Sequence, residues 1–113
     1  MPDQNIKIKT EEIYTKVEYE KISKGYRAKG MEDKWNLFLE GNCLYMHRSW
    51  TGNCIYIAEL ERLPNFTYRL CQLTINQAPE QYTKPIEKAI DLALNTIRKQ
   101  LIIGSYDPKK ARG

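Results

Sequence analysis

The segment that decides the fold is Trp35-Asn-Leu-Phe-Leu-Glu40, then Gly41-Asn42, then Cys43-Leu-Tyr-Met-His-Arg48. Trp35, Leu37 and Leu39 alternate with other residues, the period of a strand with one buried face. Gly41-Asn42 accepts positive φ and suits a two-residue hairpin turn. The return strand divides into Leu44, Met46 and Arg48 on one face and Cys43, Tyr45 and His47 on the other. Residues 49–53 make a second connection. Cys54-Ile-Tyr-Ile-Ala-Glu-Leu60 reads as a third strand. Leu63-Pro64-Asn65 is a further turn, and Phe66 to Ile75 a fourth strand. Turns at intervals of about 11–12 residues predict an antiparallel meander.

Downstream the period changes. Asn76-Gln-Ala-Pro79 breaks the strand, because proline cannot donate to a ladder. Pro85 suits the first turn of a helix. Ile86, Ala89, Ile90, Ala93, Leu94, Ile97 and Leu101 recur at three- and four-residue steps. That is one apolar stripe of about five turns, closed by Gly104 as C-cap. Lys88, Asp91, Asn95, Arg98 and Lys99 face away from it. The stripe needs cover, so the helix is expected on one face of the sheet in an α+β domain. Upstream, Ile6-Lys-Ile8 suggests a short edge strand. Thr10 before Glu11-Glu12 is an acceptable N-cap for a short N-terminal helix, although Tyr14, Thr15, Val17 and Tyr19 equally suit a strand. The expected architecture is a meander of four to five strands against one long C-terminal helix. Residues 1–104 form the domain and 105–113 a basic tail carrying Lys109, Lys110 and Arg112.

The chain has 113 residues, room for one domain. Net charge is +4, from 18 Lys and Arg against 14 Asp and Glu. That tilts the field toward anions but falls short of the excess typical of nucleic-acid binders. No apolar run approaches the ~18 residues of a membrane span. Met1-Pro-Asp-Gln-Asn5 has no apolar h-region, so a cytoplasmic protein is expected. Cys43, Cys54 and Cys71 form no close pair, and His47 is the sole histidine. Neither a metal site nor a cofactor is expected from that spacing. Of the aromatic residues, eight are Tyr, two Trp and two Phe. Tyr and Trp favour half-wet, half-dry positions.

Three polar clusters could carry function. The first is His47, Arg48, Ser49, Trp50 and Thr51, at the end of a strand and its connection. The Arg48 fork suits phosphate. The hydroxyls and a Gly-containing turn add donors, and Trp50 offers a flat ring for stacking. A structural reading is open too, with Trp50 capping the core and Arg48 pairing an acid such as Glu59. The second cluster, Asn76, Gln81 and Tyr82, stands at the strand-to-helix junction and could hydrogen-bond a ribose or base. The third is the basic loop of Lys24, Arg27 and Lys29.

The stretches Met31-Glu-Asp-Lys-Trp35, His47-Arg-Ser-Trp-Thr-Gly52 and Pro79-Glu-Gln-Tyr82 resemble a family of small bacterial and phage proteins. The likeness spans about residues 25–83 and implies a nucleotide ligand such as an ADP-ribose-derived signal. The expected function is therefore a non-enzymatic module that binds a small phosphorylated nucleotide, and that would sequester a host immune nucleotide if the gene is viral. A protein-interaction or inhibitor module using an aromatic surface is the alternative, and a nucleotide-processing enzyme a further one. A homo-oligomer is compatible with each; a membrane or nucleic-acid partner is not expected.

Overall fold

The computed structural model describes residues 4–28, 34–78 and 84–103. Five strands form one antiparallel sheet: β1 (Asn5–Tyr14), β2 (Trp35–Glu40), β3 (Cys43–Arg48), β4 (Cys54–Arg62) and β5 (Tyr68–Asn76). Their order across the sheet is β1-β5-β4-β3-β2. The meander thus runs β2 to β5, and the N-terminal strand joins at its far edge. Helix α1 (Lys16–Lys24) follows β1, and helix α2 (Ile86–Ile97) follows the sheet.

The first hairpin forms as its sequence predicts. Glu40 pairs with Cys43 around Gly41-Asn42, and Gly41 takes φ 63°. Opposite registers then follow from alternation: Leu37 faces Met46, Met46 faces Tyr56, and Tyr56 faces Ile75. All four are buried. They share one core with Tyr14, Ile22, Ala89, Ala93, Ile97 and Leu101, so α1 and α2 cover this face of the sheet. The result is a two-layer α+β domain.

Three boundaries differ from the sequence expectation. Thr10 does not cap a helix; it lies within β1, whose residues alternate half-buried and exposed through to Tyr14. The helix starts five residues later. The Thr15 side chain accepts from the Glu18 N–H, and the Glu18 carboxylate accepts from the Thr15 N–H, at 3.1 and 2.9 Å. This reciprocal capping box satisfies two otherwise orphaned donors, which a Thr10 start could not do. Second, the last strand begins at Tyr68 rather than Phe66, because Pro64–Phe66 forms a short 3-10 turn. Third, α2 does not keep α-helical winding to its end. Arg98–Ile103 widens into π-helical turns. Ile86, counted in the stripe, is exposed, whereas Ala89, Ala93, Ile97 and Leu101 are buried. Gly104 and the tail lie outside the described residues.

The two sheet edges differ. Beyond β2, Tyr26 exchanges two 2.7 Å backbone hydrogen bonds with Leu37. Gly25 makes that approach feasible: it sits at φ 67°, and a Cβ there would stand 2.5 Å from the Leu37 carbonyl oxygen. Beyond β1, no strand follows among the described residues.

Candidate functional site

Arg48 ends β3 directly opposite Trp35, the first residue of β2. Its guanidinium lies 4.7 Å from the centre of the Trp35 ring. Such a stack is worth roughly 0.5–2 kcal/mol and holds the fork in place. Tyr56 also packs on Trp35, 5.6 Å away between ring centres. Trp35 is 5% exposed, so it supports Arg48 and is not itself a stacking surface. Glu59, the acid considered for Arg48, faces Cys43 on the opposite side of the sheet.

The connection beyond Arg48 is held by its backbone. The Arg48 N–H donates to Asn53 O at 2.9 Å, and the Gly52 N–H to Arg48 O at 2.8 Å. Gly52 takes φ 75°, a conformation that favours glycine. The Asn53 N–H donates to Thr51 Oγ1. The Ser49 N–H donates to Lys34 O at 2.9 Å, tying the turn to the chain entering β2. Trp50, one residue on, is 71% exposed.

Next to this end of the sheet, a cleft of about 260 Å³ opens between the start of β2 and the C-terminal helix. Lys34 and Trp35 line one side, and Leu92, Asn95, Thr96, Lys99 and Gln100 the other. The Thr96 hydroxyl donates to Leu92 O within the helix. Lys99 and Gln100 belong to the π-helical turns. Such widened winding recurs at functional sites, because it re-aims side chains that α-helical winding would point elsewhere. Two ammonium groups and two amides around one concave surface suit an anion with hydroxyl groups. Sequence reasoning missed this wall. Asn95 and Lys99 read only as the polar side of a helix, and nothing local links position 99 to position 34.

Other expected site residues fall elsewhere. His47 pairs with Asn36 on the opposite face from Arg48. Its Nδ1–H donates to Gly52 O at 2.9 Å, and its ring stacks 5.3 Å from Phe38. Phe38 also stacks on Tyr45. Asn76 is fully buried. Its amide nitrogen donates to Cys54 O and its oxygen accepts from the Ala78 N–H, at 2.9 and 2.8 Å. That amide is used to hold the end of β5. Arg27 is exposed on the segment running along β2, between Tyr26 and Ala28; the Ala28 N–H donates to Asn36 Oδ1. Lys29, Gln81 and Tyr82 lie outside the described residues.

Cys43, Cys54 and Cys71 are free thiols. Burial pushes the Cys54 thiol above its usual range, which keeps it protonated and unreactive. Among the described residues, no three His, Cys, Asp or Glu side chains gather as metal ligands. No helix among them is long and apolar enough to cross a membrane. No family model, curated protein or solved structure matches the chain.

Proposed function

We propose that this protein binds a small phosphorylated nucleotide, of the ADP-ribose type, in the cleft beside Trp35 and holds it without chemical change. The observation that carries the reading is that Lys34 and Lys99 line one cleft, with Arg48 stacked on its wall residue Trp35. Cations at this density in a concave site favour phosphate over neutral ligands. The lysines act as point charges, and the planar Arg48 fork adds directed donors. Trp50 supplies an exposed ring for base stacking. Asn95 and Gln100, which line the cleft, would meet ribose hydroxyls, a role the sequence had suggested for Asn76.

The test is a melting and calorimetric titration with ADP-ribose, its cyclic isomers and cyclic dinucleotides. At a ligand concentration ~100 times Kd, binding to the native state adds about 2.7 kcal/mol of stability. One member of the panel should raise Tm by several degrees and be recovered with unchanged mass. An unaltered Tm and no heat with every member would overturn the reading. A product of altered mass would favour the enzyme alternative.

A protein-interaction reading rests on a different place. Phe38 is 44% exposed on the sheet face away from the helices, stacked with Tyr45 and His47. If no small molecule binds while a protein partner is lost on Phe38→Ala, that face carries the function.

A further inference from the structure

We propose that β1 pairs with β1 of a second copy of this chain, joining two sheets into one of ten strands. The two edges of the sheet are treated differently by the sequence. At the β2 edge, Tyr26 occupies the middle of the strand through its paired hydrogen bonds to Leu37, an isolated bridge. The β1 edge has no such neighbour among the described residues. It spans ten residues, with a bulge at Thr10-Glu11 where its register against β5 shifts, yet exposed and half-buried residues still alternate through that point; long open edges template pairing with another chain.

The charges along β1 select the occupant. The strand reads Asn5-Ile-Lys-Ile-Lys-Thr-Glu-Glu-Ile-Tyr14, basic in its first half and acidic in its second. Reversed on itself, such a strand opposes unlike charges. Lys7, Lys9, Glu11 and Ile13 are exposed; Ile6, Ile8, Thr10 and Glu12 are half-buried toward the helices. An antiparallel partner must keep these two sets apart, since a one-residue slip would exchange the faces. The allowed registers therefore place a residue on the two-fold axis. With Thr10 there, Lys9 of each copy faces Glu11 of the other, Lys7 faces Ile13, and Ile6 faces Tyr14. Moving the axis to Lys9 would set Lys9 against Lys9, and moving it to Glu11 would set Glu11 against Glu11. Opposite charges directly across a ladder stabilise it and like charges oppose it, so the Thr10 register is selected. The contact is isologous and closes at two copies, because it uses the β1 edge of both. Both helical layers then lie on the same side of the joined sheet, with each cleft at a remote end.

The experiment is sedimentation velocity of the full chain across a concentration series, with charge variants. Wild type should populate a dimer. Lys9→Glu places four acids at the centre of the interface and should weaken dimerisation by about tenfold or more. Combining Lys9→Glu with Glu11→Lys restores the opposition and should restore the dimer. Both positions are exposed, and circular dichroism checks that each variant folds. A wild-type monomer at every concentration would overturn the proposal. So would a dimer indifferent to Lys9→Glu, or one not rescued by the second change.

Discussion

The two faces of the sheet share every strand, yet they are built to opposite purposes. On the helix side, Leu37, Met46, Tyr56, Leu73 and Ile75 are buried and touch elements from both ends of the chain. On the other side, Phe38, Tyr45 and His47 stack mainly on one another. Neighbours in sequence therefore belong to different surfaces. His47 and Arg48 read as one cluster along the chain, but strand alternation sends Arg48 to the side of Trp35 and His47 to that of Phe38. A contiguous motif on a strand is half a site at most, and its other half comes from whatever covers that face.

Truncation should show this contrast most strongly. Leu73→Ala leaves a cavity beneath the helices and should cost about 2–5 kcal/mol in denaturant unfolding. Phe38→Ala, on the open face, removes a half-buried ring and its stacking and should cost about 1–2 kcal/mol. Equal losses would mean that both faces are packed alike.

Gly25→Ala comes next. The residue is at positive φ, and the new Cβ would meet the Leu37 carbonyl at 2.5 Å. A loss of about 1–3 kcal/mol is expected, with faster amide exchange at Tyr26 and Leu37. Slow exchange at both amides with unchanged stability would show that the strap over β2 does not need its glycine.

The smallest effect is a pH dependence centred on the covered face. Burial, with Glu12 adding to it, pushes the Tyr14 phenol well above its usual value of 10.0. The folded state thus holds this proton more tightly than the unfolded chain. Stability from this group is intact below pH 10 or so and falls as pH rises beyond it. Tyr14→Phe should flatten the alkaline limb of the stability curve. Burial also raises the Tyr19, Cys54 and, on the open face, Cys43 values, so the limb should shrink without vanishing. An unchanged limb would place Tyr14 in contact with water.

The meander was legible because its signals are local. Gly41-Asn42 marks a turn, alternation marks the strands, and the stripe from Ala89 to Leu101 marks a helix. The start of α1 was harder, since Thr10 and Thr15 each precede acidic residues. Only Thr15 has its acid three residues on, as Glu18, where the reciprocal bonds can close. The place of β1 beside β5 was not legible, because Ile6 and Ile75 are 69 positions apart and pair through the sheet alone. The same holds for the site. Arg48, Ser49 and Trp50 stood out as polar and aromatic residues on a connection. Lys34 and Lys99 did not, because an exposed lysine on a helix or strand end looks ordinary until the fold sets it across a cleft from another.

The central claim is that the ligand sits on the helix side of the sheet, between Lys34 and Lys99, rather than at the His47 cluster. Calorimetry of wild type, Lys99→Ala and His47→Ala with the best ligand of the nucleotide panel tests it most directly. Losing a charge-assisted contact costs roughly 1.5–3 kcal/mol, so Lys99→Ala should weaken binding by at least about tenfold. His47→Ala should leave Kd unchanged. Full affinity in Lys99→Ala, or a loss confined to His47→Ala, would contradict the account.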